Sequence, residues 1–298
     1  MTENTNNSAS TSAEKSAAGV FYSTGAPGTL SIEEMKVIAR KIRREIITMI
    51  GGVGSGHPGG SLSAVEILTA LYFKVLKYNS ADPQWADRDR FILSKGHAAP
   101  ALYATLAAAG YLPESELCTL RKIDSRLQGH PECGKTPGVE MSAGALGQGL
   151  SFGIGVSLAG RLNNQDYRTY VLMGDGECEE GQVWEAAMAA AQFKLDKLIA
   201  IVDNNGIQLD GWIKNIMALE PLRQKWESFG WNVIETDGHD VGQVIEALGK
   251  ARLVTGQPTV IIAHTIKGKG VSFMENNPDF HGKAPNADEL KIALKELE

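Results

Sequence analysis

Gly174-Asp-Gly-Glu-Cys-Glu-Glu-Gly181 is the segment from which the fold of this chain is most readily predicted. The apolar run Tyr170-Val-Leu-Met173 precedes it, and an Ala-rich stretch that ends near Lys194 follows it. A second apolar run, Leu198-Ile-Ala-Ile-Val202, comes next. This order predicts a strand, a helix and a strand. We therefore expect an α/β fold, a doubly wound and mostly parallel sheet with helices on both faces.

Polar residues follow each of these two predicted strands, Asp175 after the first and Asn205 after the second. The carboxyl ends of parallel strands share one edge of the sheet, where α/β proteins bind ligands. A carboxylate, an amide oxygen and the main-chain carbonyl of Ile207 suit Mg²⁺ bound to a diphosphate. Gly176 would let the backbone approach the phosphates, and a helix beginning near Glu180 would add N–H donors. The alternative is a pair of ordinary turns, since Asp-Gly and Asn-Gly are common turn dipeptides.

Composition places the chain among globular proteins with a large core, because 43% of its 298 residues are hydrophobic. A net charge of −6 argues against nucleic acid as a partner. No apolar run approaches the ~20 residues of a membrane span. Three scattered cysteines show neither zinc-site nor disulfide spacing and indicate a reducing compartment. We expect a cytoplasmic protein with no nucleic-acid or membrane partner.

The domain organisation predicted from composition is simple. Residues 1–28 are rich in Ser, Thr, Asn, Ala and Gly and predict a flexible tail without the features of a targeting sequence. Residues 29–298 are expected to form one domain. A capping box, Ser31-Ile-Glu-Glu34, predicts the start of its first helix, which Gly51 and Gly52 are expected to end.

Gly54-Ser-Gly-His-Pro-Gly59 matches the dinucleotide pattern G-x-G-x-x-G letter for letter. That pattern requires a strand before it and a helix that opens inside it. Here a predicted helix precedes it and Pro58 lies in the loop, so we do not interpret it as a nucleotide-binding loop.

Histidines are few in this chain, and four of the six lie in turns flanked by Gly or Pro. They are His57, His97, His130 and His281. Loops carry binding sites, and four similar settings predict one cluster, although a single such histidine is more often solvated or capping. Their spacing matches no local metal-binding motif, so neutral imidazoles that bind hydroxyls and shuttle protons fit better. We assign His239 and His264 structural roles.

Six motifs, in this order, resemble those of the transketolase family. They are Ser55-Gly-His-Pro-Gly-Gly60, Arg88-Asp-Arg-Phe-Ile-Leu-Ser-Lys-Gly-His97, Gly129-His-Pro-Glu132, Gly144-Ala-Leu-Gly-Gln-Gly149, the Gly174 segment with Asn205, and Phe280-His-Gly282. They correspond to the family's N-terminal domain, which binds the diphosphate of thiamine diphosphate. The resemblance implies a transferase that moves a two-carbon ketol unit from a ketose phosphate to an aldose phosphate, with thiamine diphosphate as the electron sink.

The resemblance also implies which residues hold the metal and the diphosphate. Asp175, Asn205 and the carbonyl of Ile207 would bind Mg²⁺, for which Ca²⁺ or Mn²⁺ could substitute. Gly176 and His97 would contact the diphosphate.

Further roles implied by the resemblance concern the cofactor ring, the substrate and the subunit interface. Gly144, Ala145 and Leu146 would flank the aminopyrimidine. Three histidines would bind hydroxyls of the donor sugar and assist proton transfer, namely His57, His130 and His281. Of these, His281 would also contact the cofactor. Glu180 would lie at the subunit interface and link two cofactor sites.

Two segments depart from the family pattern. Ala145 stands where the family usually has Pro, a mild change in loop stiffness. The loop that begins Lys267-Gly-Lys-Gly270 is more basic than in full-length members, which weakens any substrate specificity inferred from them. We assign no role to that loop.

The length of the chain implies a partner. Full-length members continue through a pyrimidine-binding domain, with the glutamate that activates the cofactor and most arginines that hold the substrate phosphate, and a C-terminal domain. We expect a subunit that is inactive alone and pairs with a separate C-terminal transketolase subunit carrying the pyrimidine-binding domain, as an α₂β₂ complex.

Three alternatives remain open. A split transketolase could be specialised for an unusual pentulose phosphate such as apulose 4-phosphate. A related thiamine enzyme, 1-deoxyxylulose-5-phosphate synthase or a 2-oxo acid dehydrogenase α subunit, is not expected to carry both Gly56-His-Pro-Gly59 and Gly129-His-Pro-Glu132. A non-catalytic paralogue would not need intact Asp175, Asn205 and four loop histidines.

Overall fold

The computed structural model describes residues 30–298, so the predicted tail, residues 1–28, lies outside the described part of the chain. Its strands are β1 (Arg90–Leu93), β2 (Thr169–Gly174), β3 (Leu198–Asn204), β4 (Ile207–Gln208), β5 (Gly211–Trp212), β6 (Asn232–Asp237) and β7 (Thr259–His264). Five of them pair in parallel in the order β1-β2-β3-β7-β6, and β4 and β5 form a small antiparallel hairpin. The predicted parallel α/β sheet is confirmed.

Helices cover both faces of this sheet. They are α1 (Ile32–Val53), α2 (Pro58–Ser63), α3 (Val65–Ala70), α4 (Ala99–Ala108), α5 (Gln148–Leu162), α6 (Gly181–Gln192), α7 (Ile213–Ile216), α8 (Leu222–Ser228), α9 (Val241–Ala251) and α10 (Ala287–Glu296). Residues of α1, α3, α4 and α9 build one buried cluster, and residues of α5, α6 and α8 build the other. None of the helices in residues 30–298 is both long and apolar enough to cross a membrane.

The central strands are apolar along their whole length because both of their faces are buried. Tyr170 and Leu172 of β2 belong to the first cluster, whereas Val171 and Met173 belong to the second. Successive side chains of a strand point to opposite faces, so a sheet covered on both sides requires a continuous apolar run. This packing explains why the runs before Asp175 and Asn205 could be recognised as strands.

Helix α1 begins as predicted and ends later than predicted. Ser31 and Glu34 form both bonds of the capping box. The predicted stop at Gly51 and Gly52 is wrong, since α1 continues to Val53 and ends at Gly54, whose φ is +67°. A Cβ added at Gly51 would lie 2.8 Å from the Leu290 side chain. Gly51 therefore lets α10 pack closely against α1, which outweighs the low helix propensity of glycine.

Candidate functional site

Asp175 follows β2 directly, and its carboxylate joins two loops at the carboxyl edge of the sheet. It accepts the N–H of Gly176 at 2.8 Å and the N–H of Gly206, which lies in the loop after β3. In that loop, Asn205 accepts the N–H of Ile207 through its side-chain oxygen at 3.1 Å. Asp175, Asn205 and Ile207 line one cavity of about 270 Å³. The predicted meeting of these residues is confirmed.

The Asp175 carboxylate lies in a setting that a cation would stabilise. Its pKa is raised to about 7, first because the side chain is buried and second because the Asp203 carboxylate lies nearby. In the described part of the chain no three His, Cys, Asp or Glu side chains gather as a ready metal cluster. A carboxylate, an amide oxygen and a carbonyl are nevertheless hard donors of the kind that Mg²⁺ takes when phosphate and water complete its shell.

Lys267 also reaches this cavity, although no sequence pattern predicted it. Its buried ammonium donates to the carbonyl of Ile207 at 2.8 Å and lies 2.8 Å from Nδ1 of His281. Burial and the nearby Lys95 lower the pKa of Lys267 to about 8. An ammonium at a cavity wall can contact phosphate oxygens by charge-assisted hydrogen bonds. The only sequence signal for Lys267 is its position beside a glycine in a basic loop.

The four histidines of the loops form one group, as predicted. The ring of His57 lies at its centre, 5.5 Å from the rings of His97 and His281 and 6.2 Å from that of His130. The rings of His97 and His281 are 5.1 Å apart. Each histidine comes from a different loop, and two of them, His97 and His281, also line the cavity beside Asp175.

These imidazoles are kept neutral by their surroundings. Burial and the Arg121 cation lower the pKa of His57 to about 4, and burial and Lys267 lower that of His281 to about 3. The pKa values of His97 and His130 are lowered as well, again mainly by burial. Because Nδ1 of His281 faces the Lys267 ammonium, its proton is placed on Nε2, which is then a donor. A neutral group of this kind can bind hydroxyls and exchange protons.

A buried ion pair lies beneath the cavity. Lys95 pairs with Asp203, and its ammonium also donates to the carbonyl of Gly60 at 2.9 Å. The hydroxyls of Ser63 and Thr265 donate to the same Asp203 carboxylate. These bonds join the ends of β1, β3 and β7 to α2, so the segments that carry the site are held in a fixed arrangement.

A second buried carboxylate, Glu177, organises the other side of the cavity. It accepts the N–H groups of Gly147 at 2.9 Å and Gly174 at 3.1 Å, together with the hydroxyl of Ser94. These donors lie before α5, at the end of β2 and after β1. Glu177 therefore fixes the start of α5 relative to the strand that precedes Asp175.

The remaining predicted residues lie at or near the same cavity. Gly176, Leu146 and Glu180 line it, and Glu180 is an exposed residue directly before α6. Gly144 and Ala145 are exposed on the loop before α5. A Cβ added at Gly144 would lie 4.0 Å from the ring of His130, so this loop borders the histidine group. The predicted helix near Glu180 begins at Gly181, after a short 3₁₀ turn.

Comparison with known proteins gives consistent relatives. The family described as "Transketolase, thiamine diphosphate binding domain" matches residues 34–297. An apulose-4-phosphate transketolase subunit from Actinobacillus succinogenes is 47% identical over 91% of this chain and 98% of its own length. A 6-deoxy-6-sulfo-D-fructose transketolase subunit, SqwG, from a Clostridium species is 44% identical over 87% of this chain and 94% of its own.

A solved structure extends the same likeness to three dimensions. Transketolase from Leishmania mexicana superposes with a TM-score of 0.84 and 35% identity, over 91% of this chain and 42% of that enzyme. This chain therefore spans less than half of that solved transketolase chain. The match over nearly all described residues, together with 47% identity to a relative that is covered over 98% of its own length, shows that the chain belongs to the transketolase family.

Proposed function

We propose that the chain is the thiamine diphosphate-binding subunit of a two-subunit transketolase, which transfers a two-carbon ketol unit between sugar phosphates. The observation that carries this proposal is the convergence of two kinds of group on one cavity. Oxygen donors at Asp175, Asn205 and Ile207 line it together with the Lys267 ammonium. Two of the four neutral histidines line it as well, and the other two belong to the same group of rings. Metal-bound diphosphate requires the first kind of group, and polyhydroxylated substrates require the second.

The metal and the diphosphate would be held by the loops after β2 and β3. Asp175, Asn205 and the carbonyl of Ile207 would bind Mg²⁺, which suits their hard oxygen donors. Lys267 and His97 would contact the diphosphate, and Gly176 would let the backbone come close to it. When bound, thiamine diphosphate would supply the electron sink for cleavage of the carbon–carbon bond.

The histidines would act on the substrate. His57, His130 and His281 are neutral near pH 7, so each can donate to or accept from a sugar hydroxyl. His281 presents Nε2–H as its donor because Lys267 occupies Nδ1. These side chains would orient the donor sugar and move protons to and from its hydroxyls.

A second subunit would complete the site. The relatives from Actinobacillus and Clostridium are named as subunits, and the solved transketolase continues well beyond the part that this chain covers. Glu180 is exposed at the cavity, and so is Leu209, 63% of whose surface is accessible. We propose that a subunit with the pyrimidine-binding domain covers this edge in an α₂β₂ complex, where Glu180 would link the two cofactor sites.

The rest of the proposal concerns domain organisation and location. Residues 29–298 would form one domain, and the predicted tail, residues 1–28, lies outside the described residues. A cytoplasmic location is supported by the scattered cysteines, none of which forms a disulfide within residues 30–298.

A specialised donor is the second candidate. Relatives 47% and 41% identical to this chain are named for apulose 4-phosphate, so a pentulose with a single phosphate at carbon 4 should be tested alongside xylulose 5-phosphate. The assembled complex should transfer a ketol unit from one of these two sugars. A preference for xylulose 5-phosphate would favour the general transketolase, and a preference for apulose 4-phosphate would favour the specialised one. Release of carbon dioxide from pyruvate, without ketol transfer, would refute both.

A further inference from the structure

Two hydrogen bonds hold the backbone on either side of Lys267. One is at Ile266, directly before it, and the other is at Lys269, the second residue after it. The N–H of Ile266 donates to Nε2 of His239 at 2.7 Å. The carbonyl of Lys269 accepts from Nε of Arg43 at 3.1 Å. His239 and Arg43 come from distant parts of the chain, the loop after β6 and the middle of α1. Both reach the same four-residue segment.

One buried carboxylate joins these two contacts. Glu66 of α3 accepts from both terminal nitrogens of the Arg43 guanidinium, one of them at 2.6 Å, and lies 3.0 Å from Nδ1 of His239. Because Nε2 of His239 accepts the Ile266 N–H, its proton must lie on Nδ1, which donates to Glu66. Arg43 and Glu66 are only 6% and 7% exposed. The bidentate contact fixes the orientation of both side chains.

We propose that Arg43, Glu66 and His239 are positioning residues that hold the Lys267 ammonium at the cavity; this role rests on the proposed binding of diphosphate there. The triad fixes the backbone on both sides of Lys267, and the side chain then spans the short distance to the carbonyl of Ile207. A lysine side chain has several freely rotating bonds, so a fixed backbone lowers the entropy lost when its ammonium binds phosphate.

A comparison of two histidine–glutamate pairs tests this role. His239→Ala removes the acceptor of the Ile266 N–H, whereas His264→Ala removes an exposed imidazole that pairs with Glu235 at 2.9 Å. His239→Gln keeps a side-chain oxygen that can accept the Ile266 N–H. We would measure amide hydrogen exchange of residues 265–270 in each full-length chain and the affinity of each for pyrophosphate with Mg²⁺, with and without the partner subunit.

His239→Ala should speed exchange in residues 265–270 at least tenfold and weaken pyrophosphate binding about tenfold. His264→Ala should change neither, and His239→Gln should recover most of the protection. Once Lys267→Met has removed the ammonium, adding His239→Ala should weaken binding no further.

Wild-type exchange rates in His239→Ala would overturn the triad as an anchor. Weakened binding that simply adds to the effect of Lys267→Met would show that His239 does not act through Lys267, and would also overturn the proposal. A wild-type complex that binds no pyrophosphate with Mg²⁺ would refute the proposed cofactor role of the cavity, and with it any role of the triad in binding.

Discussion

Lys267 places its ammonium 2.8 Å from the main-chain oxygen of Ile207, one of the three oxygens proposed to bind Mg²⁺. A divalent cation at that carbonyl would repel the ammonium. The same ammonium would be favourable next to the negative charge of a diphosphate. Metal and diphosphate are therefore expected to bind together, with the lysine turning from the carbonyl to the phosphate oxygens.

Lys267→Met should weaken the binding of pyrophosphate with Mg²⁺ about tenfold or more, because one charge-assisted contact is lost. The binding of Mg²⁺ alone should not weaken, since the competing cation has been removed. Calorimetric titration of the assembled complex with each ligand measures both effects. Equal weakening of both would contradict this account and point to a collapsed loop instead.

Asp175→Asn should abolish metal-dependent binding of thiamine diphosphate, because the proposed carboxylate ligand is replaced by a neutral amide. The midpoint of urea unfolding should change little. Replacing a buried carboxylate whose pKa is raised to about 7 removes a buried charge, which stabilises the fold. The loss of an acceptor for one of two N–H groups, those of Gly176 and Gly206, destabilises it and offsets this gain. Asp210→Asn, on the exposed turn between β4 and β5, is the matched control and should bind normally. Normal cofactor affinity in Asp175→Asn would refute the assignment of this metal ligand.

Lys95→Met should lower the free energy of unfolding by roughly 3–5 kcal/mol, because it leaves Asp203 buried without its ionic partner. Lys197→Met removes the lysine of an exposed pair with Asp166 and should cost less than about 1 kcal/mol. Urea unfolding of both variants at neutral pH makes the comparison. Similar small losses would show that the buried pair does not stabilise the floor of the site.

The pKa of His57 predicts how stability depends on pH. Burial and Arg121 hold it at about 4 in the folded chain, below the ordinary value of 6.5. Above pH 6.5 His57 is neutral in both states. As the pH falls from 6.5 to about 4, the unfolded chain takes up a proton that the folded chain does not, so stability is lost.

His57→Gln should therefore lose less stability than the wild type between pH 7.5 and pH 5. The comparison uses the change in unfolding free energy between the two pH values, not its absolute size, because the substitution also alters packing. Parallel pH dependence of wild type and variant would mean that His57 is protonated as readily in the folded chain as in the unfolded one.

The sequence predicted those parts of the molecule that depend on short patterns. Strands β2 and β3 are continuous apolar runs because helices cover both of their faces, and the residues after them meet because parallel strands end at one edge. The histidine cluster followed from four similar turns. Strand β1 was not predicted, since its four residues include Arg90 and give no recognisable alternation.

The remaining parts of the site depend on contacts between distant segments. Lys267 is buried because its segment lies against α2 and the end of β3, where the N–H of Gly268 donates to the carbonyl of Gly59 and that of Thr265 to the carbonyl of Asn204. No local pattern encodes these contacts. No local pattern pairs His239 with Glu66, which lies 173 residues away, so the sequence indicates only a structural role for this histidine. Only the folded chain reveals that this histidine holds the segment that carries Lys267.

The central claim, that this chain supplies the diphosphate half of a shared cofactor site, is tested most directly by titration with a partner subunit. A fixed amount of chain with thiamine diphosphate, Mg²⁺ and both sugar phosphates would receive increasing amounts of the pyrimidine-domain subunit. Ketol transfer should be undetectable without partner and should rise to a plateau at one partner per chain. Full ketol transfer by the purified chain alone would contradict the account.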